Sequence, residues 1–232
     1  DYNDRQSYRY ANKFFGELTD DPGEIAFDRT HHYNMDSNRT ASKVDFATNG
    51  AISNDIDFMI YIGHGLQADD SKGNYLHYNC ASNGTYHSND CKNVAYNAYS
   101  SEMNFGSSTS DLRLVWLYTC NFLTTNDFVT EDTLKEMMTG AHIVMGYASR
   151  ATLCDAMAET FASYLREGEP IINAYFTAGH YGEASVEDAT HYQRVLYIPQ
   201  ASTETIYTPK FDYKYDASDV LIITRDIHSD FS

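Results

Sequence analysis

The sequence predicts an α/β protein, a three-layer α/β/α sandwich on a mostly parallel sheet, and three observations carry that expectation. Apolar runs of strand length recur at 56–62, 112–119 and 141–147, too continuous for strands with one wet face. Helix-length segments with one apolar face lie between and after them, the alternation that crossover connections produce. Apolar residues make up 42% of the 232, enough for a sizeable core and too many for a disordered chain. No internal repeat or linker divides the sequence, so one domain spanning 1–232 is expected, with a polar insertion at about 66–110.

Each element has its own signal. Residues 6–18 place Tyr10, Phe14 and Phe15 at helical spacing, and residues 20–41, with Asp21-Pro22-Gly23, read as loop or edge. The run Ile56 to Ile62 ends at Gly63-His64-Gly65 and predicts a strand buried on both faces. The insertion shows no sustained period, with a short helix expected around Tyr96 to Met103. A second strand, Leu112 to Thr119, ends at Cys120, and Trp116 within it is a core residue. Thr130 followed by acidic residues predicts a capped helix over 130–139, stopped by Gly140 before a third strand, Ala141 to Tyr147. Helices at Leu153–Glu167, with Met157, Phe161, Tyr164 and Leu165 on one face, and at Ile171–Ala178 are separated by Gly168 and Pro170. Further strands fit Gln193 to Ile198 and Val220 to Thr224.

Charge narrows the function. With 16 basic and 33 acidic side chains the formal net charge is −17, and no basic run offsets it, so a nucleic-acid backbone is excluded as partner. No apolar stretch is long enough to span a bilayer. The chain begins at Asp1 without Met, as a processed protein would, and is rich in Tyr, Asn, Ser and Thr. Cys80 and Cys91 flank a polar loop, and a disulfide between them would staple it. Sequons at Asn38-Arg39-Thr40 and Asn83-Gly84-Thr85 agree with export. The expected location is therefore secreted or extracytoplasmic.

Two buried strands end in the residues a thiol hydrolase needs. His64 closes one and Cys120 the next, and ligands of an open parallel sheet bind beyond the carboxyl ends of its strands. A thiol is only a few per cent ionised near neutral pH, so an imidazole that takes its proton raises the reactive fraction and later protonates the departing amine. Gly65, with no side chain, lets its N–H approach a substrate carbonyl. Together with the Cys120 N–H it forms an oxyanion hole, each donor contributing about 3 to 4 kcal/mol in comparable enzymes.

The strands Ile60-Tyr61-Ile62-Gly63-His64-Gly65 and Val115-Trp116-Leu117-Tyr118-Thr119-Cys120 resemble those of the caspase, gingipain, clostripain and separase group of cysteine peptidases (clan CD). Gly140 to Tyr147 looks like the next strand of that group, and 158–175 like its following helix pair. The sequence is also similar to a bacterial family of uncharacterised exported proteins with the same His-Gly and Cys strands. The resemblance covers roughly residues 50–180. It implies a caspase-like fold and a secreted cysteine endopeptidase acting on peptide or protein substrates, with His64 as general base and acid and Cys120 as nucleophile. It also implies that no cofactor is required. Tyr118 stands where the clostripain branch places an acidic substrate selector, and Ser149 and Arg150 fall where related folds shape the pocket, Arg150 positioned to meet an acidic side chain. Thr119 and Asn121-Phe122-Leu123 depart from the group's small residues around the nucleophile, and bulky Phe122 is expected to narrow the pocket.

Other readings stay open. A Cys120–Cys154 disulfide would remove the nucleophile, and a catalytically inactive binding domain on the same scaffold is the alternative function. Calcium held by Asp69, Asp70 and Asp90 is a further expectation. His77 and His87 flank Cys80 at a spacing that matches no zinc pattern, and His31-His32 reads as a solvated loop pair. His142 is expected to face core or solvent, whereas His180, Glu183 and Glu187 follow a helix end near the cleft with surface roles.

Overall fold

The computed structural model describes residues 2–19, 57–67, 72–77, 97–107, 112–183, 191–208 and 213–228. In chain order the elements are α1 (Tyr2–Thr19), β1 (Phe58–Ile62), β2 (His64–Leu66), β3 (Tyr75–His77), β4 (Asn97–Tyr99) and β5 (Leu114–Tyr118). They continue with α2 (Glu131–Glu136), β6 (Ile143–Tyr147), α3 (Asp155–Arg166), α4 (Ile171–Ala178), β7 (Tyr192–Tyr197) and β8 (Leu221–Asp226). One sheet has the order β1-β5-β6-β7-β8, and a small antiparallel sheet has the order β2-β3-β4.

The three apolar runs form the parallel half of the large sheet. β5 and β6 are buried at every position, as strands covered on both faces must be. The sheet is mixed rather than mostly parallel: β1–β5 and β5–β6 pair parallel, whereas β6–β7 and β7–β8 pair antiparallel. The cause is the helix pair. From the carboxyl end of β6, α3 carries the chain back along the sheet and α4 returns it, so β7 starts at the same edge and must run the opposite way. Gly168, at φ 83°, makes the reversal between the helices, its N–H meeting Leu165 O at 3.0 Å.

Alternation along the strands sorts two cores. Leu114, Trp116, Tyr118, Ile143, Met145 and Tyr147 face α1, α3 and α4. Phe14 of α1 is the pivot, with ring centroids 5.2 Å from Trp116, 5.5 Å from Phe58 and 5.6 Å from Phe161. Burying aromatic rings of this size is the main stabilisation on this face. Every fourth residue along α1 pairs with α3: Arg9 with Asp155, Lys13 with Glu159 at 2.6 Å, and Glu17 with Arg166 at 2.9 Å. Such exposed pairs set register more than stability.

On the other face, Val115, Leu117, Val144 and Leu196 pack with Leu76, Ala98, Phe105 and Leu134. Among the described residues that layer consists of the six-residue helix α2 and the small sheet, so helices flank the large sheet unequally. Thr130 caps α2 as expected, its side-chain oxygen accepting the Thr133 N–H at 3.2 Å. The short helix expected at Tyr96 to Met103 is instead β4 followed by a 3-10 turn, Ser100–Glu102.

Candidate functional site

The register of β1 on β5 brings the site together. Phe58 faces Leu114 and Ile62 faces Tyr118, a constant offset of 56 residues (114 − 58), and the same offset separates His64 from Cys120 (120 − 64). The strand pairing ends at Ile62 and Tyr118, and His64 and Cys120 each follow it by two residues, beyond the carboxyl ends of neighbouring parallel strands. The Gly63 N–H still reaches Tyr118 O at 3.4 Å before the chain bends into β2. Gly65 then crosses directly over the end of β5: a Cβ there would overlap both Thr119 Oγ1 and the Cys120 carbonyl oxygen. Only glycine permits that crossing.

Around the thiol the order is imposed by the segment after β6. Cys120 is half-buried, and its Sγ accepts the Ala151 N–H at 3.3 Å and lies 3.6 Å from Ala151 O. The Asn121 N–H donates to Ser149 O at 2.6 Å, tying the two loops together. Asn121 has φ 56°, a left-handed conformation that Gly adopts freely and Asn tolerates, so Asn stands where the resembled group often uses Gly. His64 is exposed, and the Tyr61 hydroxyl donates to its carbonyl oxygen at 3.4 Å.

Several expectations are corrected. Tyr118 does not line a pocket: it is fully buried, stacked on Trp116 and Tyr147. Its hydroxyl donates to Thr152 O at 2.7 Å and accepts the Cys154 N–H at 3.0 Å, which fixes the segment beneath Cys120. Phe122 does not narrow a pocket, since it is wholly inside the second core. Cys120 and Cys154 are both free thiols, so the two are not bridged to each other. Ser149 lies beside the thiol loop, but its hydroxyl is engaged, accepting the Tyr192 N–H at 2.7 Å and donating to Arg150 O at 3.0 Å. Arg150 is exposed.

Asp69, Asp70, Cys80, His87, Asp90 and Cys91 lie outside the described residues, as do His31, His32 and Glu187. Among the described residues, no group of three His, Cys, Asp or Glu is arranged to hold a metal ion. His180 is anchored through Nδ1, 2.8 Å from Ile227 O. His142 faces the core as expected, where its Nδ1 meets Glu204 Oε1 at 2.9 Å; both side chains are nearly completely buried. Reading the sequence missed Glu204 and also Arg194, a cation inside an apolar strand whose guanidinium bonds Leu123 O and Thr224 Oγ1. The one signal for Arg194 was its charge amid Val195, Leu196 and Tyr197.

Fold and rim together define an α/β protein with a mixed five-stranded sheet, in which a free thiol follows β5 and an exposed histidine follows β1. The chain belongs to the family described as "Domain of unknown function (DUF6345)", whose model matches residues 3–209. No curated protein and no solved structure matches it. Among the described residues no helix is long and apolar enough to cross a membrane.

Proposed function

We propose that the protein is an exported cysteine endopeptidase of caspase-like type, acting through His64 and Cys120. The observation that supports this reading is that His64 and Cys120 each lie two residues past the carboxyl end of one of two neighbouring parallel strands. Gly65 packs against the Cys120 carbonyl, and Cys120 is a free, half-buried thiol. In the first step the imidazole takes the thiol proton and sulfur bonds to the peptide carbonyl carbon. The oxyanion that forms is held by backbone N–H groups, with Gly65 and Cys120 the candidate donors. The C–N bond then breaks as the imidazolium protonates the amine. Water, deprotonated by the imidazole, cleaves the thioester and returns the thiol.

A second reading, a non-catalytic binding domain, draws on the closeness of Gly65 to the Cys120 carbonyl, which leaves no space for even a methyl group between them. The experiment is a peptide-library digest with parallel iodoacetamide labelling of the parent and Cys120→Ala chains, with and without calcium. The expected result is cleavage and labelling that both vanish in Cys120→Ala while Cys154 stays unlabelled. Cleavage that persists without Cys120 overturns the enzyme reading. Labelling of Cys120 with no peptide cut in either calcium condition supports the binding domain.

A further inference from the structure

At the other end of the same rim, over β6, β7 and β8, lies a cavity of about 300 Å³ lined by Thr124, Thr125, Ala148, Tyr192, Arg194 and Thr224. That volume is at the small end of ligand sites. It sits on the face of the sheet shared with Leu196 and Val144, because Arg194 alternates with Val195 along β7.

The donors are unevenly spent. Arg194 Nε donates to Thr224 Oγ1 at 2.8 Å and Nη1 to Leu123 O at 2.7 Å. These two bonds lock the guanidinium plane and leave three of its five N–H donors without a partner among the described residues. Thr224 only accepts in that contact, so its own O–H is still to be donated, and the Thr125 hydroxyl has no bond to any described residue. Thr124 is satisfied, donating to Ala148 O at 2.8 Å. Among the described residues no carboxylate lines the cavity, in a chain whose net charge is −17. Burial pushes the Arg194 pKa below its ordinary value, opposed by the Glu131 carboxylate, and a nearby anion would relieve that cost.

We propose that this cavity binds an oxyanion group, a carboxylate or a phosphate, through the Arg194 guanidinium with the Thr125 and Thr224 hydroxyls. An arginine fixed by two protein acceptors offers its remaining donors in a rigid, pre-oriented fork, which suits such oxygens better than a mobile lysine does. The site does not depend on the peptidase reading. Its ligand group comes either from an acidic side chain of a peptide or from a small phosphate-bearing molecule, and the two sources are separable.

The test is isothermal titration of the full chain with inorganic phosphate and, separately, with N-acetylglutamate amide, at constant ionic strength. Saturable binding of at least one probe is expected in the parent. It should disappear in Arg194→Met and weaken about tenfold in Thr125→Val, the loss of one hydrogen bond to a charged group. Preference for phosphate identifies the free-molecule source, and preference for the glutamate amide identifies the peptide. No saturable binding in the parent, or equal binding in parent and Arg194→Met, overturns the proposal. Where Arg194→Met fails to fold, Thr125→Val decides, and unchanged affinity there is equally adverse.

Discussion

The two rims of the large sheet carry similar chemistry and treat it in opposite ways. At the carboxyl rim His64 is exposed and Cys120 half-buried, and the loops after β5 and β6 meet through short polar contacts such as Asn121 N–H to Ser149 O and Ala151 N–H to Cys120 Sγ. At the amino rim His142 is 4% exposed and paired with the buried Glu204, while the Tyr213 ring packs on its imidazole in a T-shaped arrangement with centroids 4.9 Å apart. Ile198 N–H closes on His142 O at 3.1 Å, Ile171 N–H on Glu204 O at 2.8 Å, and Tyr215 O–H on Ala141 O at 2.6 Å. An imidazole thus becomes a candidate reagent or a structural rivet according to what covers its strand end. In this sheet the amino ends are sealed by the 198–204 turn and the 213–220 segment, and the carboxyl ends are left to short glycine- and asparagine-bearing bends.

That contrast breaks most sharply at Glu204. Glu204→Ala leaves the buried His142 imidazole without its partner, so a loss of about 3 kcal/mol or more is expected in urea unfolding. Iodoacetamide labelling of Cys120 should stay unchanged wherever the variant remains folded. A Glu204→Ala chain as stable as the parent would mean that the amino rim is not a structural lock.

Gly65→Ala tests the open rim with a smaller effect. The added methyl must displace both the Cys120 carbonyl and the Thr119 side chain, which costs about 1 to 3 kcal/mol. Because the displaced atoms belong to the thiol loop, the rate of Cys120 labelling should change with it. A stable variant labelled at the parental rate would show that β2 does not brace Cys120.

Much of this was legible in the sequence, for identifiable reasons. Continuous apolar runs flag β1, β5 and β6, and the positions of His64 and Cys120 just after two of those runs put both beyond the carboxyl ends of neighbouring strands. The helix pair is visible in the sequence too, but apolar periodicity alone does not carry strand direction: two crossing helices return the chain to its starting edge, which makes β7 antiparallel. Strands of three residues, as in β2, β3 and β4, are too short to show a period of two, so the small sheet was hidden inside polar sequence. The position of Tyr118 two residues before Cys120 suggests a pocket, yet alternation turns it toward Trp116, Tyr147 and Tyr10, rings contributed by three different elements. Arg194 acquires meaning only from Leu123 and Thr224, partners 71 and 30 residues away, and no local pattern encodes that.

The smallest expected effect sharpens the amino rim further and concerns alkaline pH. Burial raises the Tyr215 pKa well above its ordinary value of 10.0, so the folded chain keeps this phenol protonated where the unfolded chain ionises it. A raised folded pKa gives stability that is complete below pH 10 and is lost as pH rises beyond it, because ionisation then favours the unfolded state. Tyr215→Phe removes the hydrogen bond to Ala141 O and should cost about 1 kcal/mol at pH 7. The variant has no phenol to ionise at this position, so its deficit relative to the parent should shrink as pH climbs from 10. Thermal unfolding of both chains across that interval measures the gap directly, the remaining tyrosines being common to the two. A deficit that stays constant with pH would mean that Tyr215 ionises as readily when folded as when unfolded, and that the amino rim admits water where the packing around Ala141 says it does not.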